Sequence, residues 1–148
     1  MTEGKKAAVS PRHRARELAV QGIYEWRLSG KPARLIEQAT LAEKSLGRYD
    51  TALFGTLLRG AVERHETLDE LLAPHLDRAL RELSPVEYAV LLLGAYELAH
   101  QPEVPYKVVI NEAVELAKTF GGSDGHKFVN GVLDKVAAQV RAVEVKAR

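Results

Sequence analysis

Residues 104–136 read VPYKVVINEAVELAKTFGGSDGHKFVNGVLDKV. Apolar residues recur at helical spacing on both sides of a glycine pair, so the stretch predicts helix, break, helix. Pro102 and Pro105 punctuate its start, Gly121 and Gly122 end the first helix, and Ser123 can cap the second. Val129, Val132, Leu133, Val136 and Val140 form the buried stripe of that second helix. Packing two helices does not require Asn111, Glu112, Lys118, His126, Lys127, Phe128 and Asn130, which give the segment content beyond architecture.

The same period runs outward to the N-terminus. Ser10 can cap a helix with Pro11 at its first position, where a missing N–H costs nothing. Ala15, Leu18, Ala19, Gly22, Ile23 and Trp26 form one stripe along it. Ser29 and Gly30 close it, Pro32 opens a short second helix to about Glu43, and Gly47 marks a break. A third segment runs from about Asp50 toward Leu76, with Thr67 and Glu70 as a capping box that would divide it. Ser84, Pro85 and Glu87 are the clearest start signal, and the helix that follows is apolar nearly all round. Only Glu97 interrupts Ala89–Ala99 with charge. The fold class is all-α, a compact domain of about six to seven helices in two packed halves joined near residues 77–84. Residues 1–10 read as a basic flexible tail, 11–142 as a single domain and 143–148 as a C-terminal tail.

A chain of 148 residues is long enough to bury a core, and 46% hydrophobic with 28% charged residues is the balance of a globular protein in water. The basic N-terminus lacks the apolar run of a signal peptide, and Ala89–Tyr96 is too short to span a bilayer, so a cytoplasmic location is expected. The net charge of +1 hides an asymmetry. Residues 1–16 carry Lys5, Lys6, Arg12, Arg14 and Arg16 against Glu3, a balance of +4 that leaves −3 on the remaining 132 residues. A basic end on a mildly acidic body points to a local anion contact; a solvated tail is the plainer alternative.

Nothing indicates catalysis. There is no cysteine, and none of the five histidines falls in a metal-ligand spacing. Nucleophile elbow, phosphate-binding loop and dinucleotide glycine fingerprint are missing. No cofactor or metal is expected.

RNA binding has better support. At 100 degrees per residue from Arg12, the first helix's apolar stripe centres near 300 degrees and Tyr24 falls near 120, opposite the core. Arg12 and Arg16 share an edge, His13 is nearby and Arg14 lies on the outer face. Guanidinium groups grip phosphates in pairs of hydrogen bonds, and an outward ring can stack on an unpaired base. In the last helix Phe128 lies about 100 degrees off the stripe, with Lys127 on the far side. Phe128 could equally be a staple against the preceding helix. Outward aromatics favour single-stranded over duplex RNA. The basic residues do not line a recognition helix of the DNA-binding kind.

INEAVELAK-x-FG, a short turn and KFVNGVLDK, together with RHRARELAVQGIYEW at the other end, resemble the NusB family over about residues 11–140. The resemblance implies a small all-helical antitermination factor. It would bind single-stranded boxA RNA of nascent ribosomal RNA leaders with NusE, a small-subunit ribosomal protein, in a complex with RNA polymerase and other Nus factors. By position it implies Arg12, Arg14, Arg16, Tyr24, Asp124, Lys127 and Phe128 as RNA-facing. A homodimer is among the free states it implies. His13 stands where relatives often have another arginine, which removes a permanent charge. For the protein partner, Glu87, Tyr88 and Leu91 on the first turns of the apolar helix are expected to be accessible, with burial the alternative for Leu91. A protein-only scaffold, or a domain of the kind fused to RNA cytosine methyltransferases, are the competing readings.

Overall fold

The computed structural model describes residues 9–122 and 124–147. The tail lysines Lys5 and Lys6 and the expected cap Ser123 lie outside them. Among the described residues eight α-helices follow in order: α1 (Pro11–Ser29), α2 (Ala33–Ala42), α3 (Thr51–Glu63), α4 (His65–Leu72), α5 (Pro85–His100), α6 (Tyr106–Phe120), α7 (Gly125–Val140) and α8 (Ala142–Lys146). No strand occurs among the described residues.

Local chemistry sets most of the boundaries. The Ser10 hydroxyl accepts the His13 amide at 3.0 Å, and Gly30 ends α1 at φ 74°, its amide donating to the Trp26 carbonyl. The Asp50 carboxylate caps α3 by accepting the Leu53 amide at 2.9 Å, and the Asp50 amide donates to the Pro11 carbonyl. That bond fixes the start of α3 beside the start of α1. Before α5, the Ser84 hydroxyl takes the Glu87 amide and the Glu87 carboxylate takes the Ser84 amide, at 3.1 and 3.3 Å.

Two boundaries depart from the sequence reading. The third segment does divide, but at Arg64 and not at Thr67, whose hydroxyl donates to the Arg64 carbonyl from inside α4. Residues 143–148, read as a tail, include most of α8. Tertiary bonds hold that short helix. The Glu144 carboxylate accepts the Tyr106 amide at 2.8 Å and an Arg141 Nη1–H at 2.6 Å. The buried Arg141 also donates to the carbonyls of Glu97, Leu98 and Gln101 where α5 ends. A carbonyl-rich helix terminus favours a guanidinium.

Helix α5 has no polar face because it has no wet face: every residue from Tyr88 to Leu98 is buried. α1, α3 and α4 pack on it from one half of the chain and α6 and α7 from the other. One continuous hydrophobic cluster runs through both halves. Burying each leucine of α5 contributes roughly 1.5–3 kcal/mol. α3 can approach closely because residue 60 is glycine, where a Cβ would overlap the Tyr96 ring. The result sets α1 and α6 along either side of α5, and the start of α7 near the start of α5.

Candidate nucleic-acid interface

α1 and α6 are bridged at one end and open at the other. At the bridged end, His13 Nδ1 lies 2.7 Å from a Glu112 carboxylate oxygen on α6, and Arg16 Nη1 lies 3.6 Å from the same atom. Further along α1, Tyr24 and Gln21 border an apolar groove of about 300 Å³ whose other walls are Val86 at the start of α5 and Phe120 at the end of α6. Tyr24 is 38% exposed, an uncommon position for a large ring on a helix whose other face is core. Val20, one turn earlier on the same side of α1, is buried and lines the same groove.

From that groove the surface continues toward α7. Glu87 follows Val86 and lies 3.6 Å from Arg78 Nη1. The Arg78 guanidinium lies over the Phe128 ring at 4.6 Å from its centroid. Phe128 is half-buried against the core, whereas Lys127 and Asp124 are exposed and 3.9 Å apart. Asp124 occupies the N-cap position of α7 without a side-chain cap bond. Tyr24 and Phe128 therefore border one surface, linked through the start of α5 and the turn that precedes it.

The three arginines in the first turns of α1 are each of a different kind. Arg12 is exposed, with Asp50 at 3.8 Å as its carboxylate neighbour. Arg14 is half-buried: Nε donates to the Leu46 carbonyl at 3.2 Å and Nη1 to Glu17 at 3.0 Å, tying down the loop before α3. Arg16 corrects the sequence reading. It is 3% exposed and donates from Nε and Nη2 to both oxygens of the buried Glu97 carboxylate, at 2.8 and 2.9 Å. Burial disfavours its charge, but the bond to Glu97 and the fields of Glu97 and Glu112 hold its pKa above the ordinary value. Both forked donors are spent on Glu97, and little of the guanidinium is left at the surface for a phosphate.

The expected protein-partner residues need the same correction. Tyr88 and Leu91 are both fully buried. The Tyr88 hydroxyl donates to Asp69 at 2.8 Å, and the Arg27 guanidinium covers its ring at 3.8 Å from the centroid. Glu87 stays half-exposed, but its carboxylate is occupied by the cap of α5 and by Arg78.

Sequence reasoning also missed two residues. Arg78 stands in an irregular segment without periodicity to mark it. His13 was read as a lost charge, and its bond to Glu112 makes it a tie between α1 and α6.

Among the described residues, no group of three or more histidine, aspartate or glutamate side chains could hold a metal ion, and no helix is long and apolar enough to cross a membrane. Residues 13–138 match the sequence profile of the NusB family. The transcription antitermination protein NusB of Ralstonia pickettii is 56% identical, over 99% of this chain and 94% of its own. That of Ralstonia nicotianae is 58% identical over 94% and 90%. Among solved structures, T. maritima NusB superposes with a TM-score of 0.81 at 28% identity, covering 94% of this chain and 99% of its own. NusB in the crystal structure of antitermination factors NusB and NusE in complex with dsRNA superposes at 0.73 with 26% identity, over 86% and 96%.

Proposed function

The chain belongs to the NusB family, and from that premise we propose that it is a cytoplasmic transcription antitermination factor that binds RNA together with NusE. Its work is binding, not catalysis. The RNA is a single-stranded boxA element of a nascent ribosomal RNA leader, and the bound complex acts with RNA polymerase and other Nus factors.

One observation carries this reading: Tyr24 stands exposed beside an apolar groove, on a surface that continues to Phe128 and Lys127. An unpaired base can stack on such a ring, worth about 1–3 kcal/mol, while an A-form duplex keeps its base faces stacked on one another. Arg12 and Lys127 supply exposed cations for phosphate. Arg14 offers the part of its guanidinium not bound to Leu46 and Glu17, and Asp124 flanks Lys127. Arg16 acts only through the position of α1. The NusE surface is not assigned to Tyr88 or Leu91, since a buried side chain cannot be a first contact.

The test is titration of a labelled boxA-like single strand and of the same sequence as duplex, each with and without NusE. Tight binding of the single strand, strengthened by NusE and falling with salt, is expected. Preference for the duplex would overturn the stacking argument, and no RNA binding in either condition would favour a protein-only scaffold.

A further inference from the structure

A second groove lies beside the first turns of α7. It is about 220 Å³ in volume and lies between α7 and the turn after α4, bordered by Lys127, Phe128, Gly131, Lys135, His75 and Asp77. Lys127, Gly131 and Lys135 are four residues apart, so they form one line along α7 with the glycine between two lysines. The rise of an α-helix spaces the two lysine backbones by about 12 Å. Gly131 is exposed, and a Cβ built on it would meet nothing within 4 Å. No packing need of the fold therefore explains a glycine there, and in mid-helix it costs about 1 kcal/mol relative to alanine. Its effect is to leave the helix backbone bare between two cations.

The charges that face the groove decide what it can hold. Lys135 is exposed and makes no ion pair among the described residues, and Lys127 has only the exposed Asp124 at 3.9 Å. The groove's own carboxylate, Asp77, is taken by Arg78 through two bonds at 2.7 and 3.3 Å. Asp134 borders the opposite groove, with Asn130, Asn111 and Lys107. His75 Nε2 is 3.1 Å from Gln139 Oε1 across the far end. Cationic groups thus line a shallow path whose one aromatic, Phe128, is at its entrance.

We propose that this groove carries the sugar–phosphate backbone of the RNA beyond the element held at Tyr24 and Phe128, with Lys127 and Lys135 on phosphates to either side of Gly131, the point of closest approach. The inference rests on the RNA-binding reading above. Continuity with Phe128 favours the RNA strand over an acidic peptide, and the lack of any aromatic beyond Phe128 makes this a backbone contact indifferent to base.

The test uses the full chain with NusE and three RNAs: the boxA-like element alone, and the element extended by several nucleotides at its 5′ or its 3′ end. One extended RNA should bind several-fold tighter than the element alone. Lys135→Ala and Gly131→Gln should each abolish that gain while leaving the short element unchanged. Lys135→Ala should also lower the salt slope for the extended RNA by about 0.7, the loss of one single-strand phosphate contact. Both positions are exposed, and thermal melts confirm folding. If neither extension tightens binding, or both variants keep the gain, the track is overturned while binding of the short element leaves the function reading intact. Weakened NusE binding by Lys135→Ala, with RNA unaffected, would instead give the groove to the protein partner. Failure of the unaltered protein to bind any RNA would overturn both readings.

Discussion

Arg16 and Glu97 meet across 81 residues of sequence with two parallel hydrogen bonds and almost no exposure to solvent. The pair joins the first turns of α1 to the last turns of α5 and places the arginine end of α1 against the central helix. Breaking it leaves a charge buried without its partner, which costs about 3–5 kcal/mol. Arg16→Ala should therefore lower thermal stability sharply. Replacing both members, as in Arg16→Met with Glu97→Leu, should cost less than Arg16→Ala alone. Chemical denaturation of the single and double variants checks this; equal losses would mean the pair is not the source.

The Tyr88 and Asp69 pair predicts a pH dependence. Burial first, and then the bond to Asp69 and that residue's charge, push the Tyr88 hydroxyl well above its ordinary value of about 10. Above pH 10 the unfolded chain loses this proton while the folded chain keeps it, so folding stability falls as pH rises. Below pH 10 both states hold the proton and the contribution is constant. Tyr88→Phe should be less stable at neutral pH by about 1 kcal/mol, through the lost hydrogen bond. It should also show a shallower alkaline decline. Urea melts at pH 8 and pH 11 measure both; an unchanged alkaline slope would show that another group titrates.

How much of this was legible in the sequence depends on angle and distance along the chain. The Ser84–Glu87 cap and the Gly30 stop are local, and their residues announce them. Tyr24, opposite the stripe of α1, is exposed. Arg16 and Phe128 each lie about 100 degrees off a stripe, where period alone cannot decide. One is buried because Glu97 supplies a carboxylate, and the other is half-buried under Arg78. Neither partner is near in sequence. α8 was hidden for the same reason, since five residues make a helix there only because Arg141 and Glu144 tie them to α5 and α6.

Tyr24→Ala should reduce RNA affinity by about 1–3 kcal/mol, the worth of one stacked base. The ring also borders the groove with Val86 and Phe120, so a small loss of melting temperature is expected as well. Tyr24→Phe separates the effects, since it keeps the ring and should keep most of the affinity. A large fall in stability with Tyr24→Ala would mean that the ring serves the core.

Arg12 is the residue of α1 from which a phosphate contact should be read. It stands in the first turn of a helix without an acidic residue there, where the helix dipole disfavours a cation. Its neighbour Asp50 is 3.8 Å away and the pair is exposed, so the pair contributes little stability, about 0–1 kcal/mol. Local energetics thus give no strong reason for arginine at this position, and the proposed RNA contact would supply one. Arg12→Ala should leave the melting temperature nearly unchanged and lower the slope of log affinity against log salt by about 0.7 for single-stranded RNA. Arg12→Lys should restore the slope, because it restores the charge, but only part of the affinity, because the guanidinium fork is lost. The Arg16→Met, Glu97→Leu double variant, which removes the charge at residue 16, should leave the salt slope unaltered when read by the same titration at a temperature where it stays folded. A slope that falls with that double variant and not with Arg12→Ala would reverse the assignment and require that α1 turn to expose Arg16 when RNA binds.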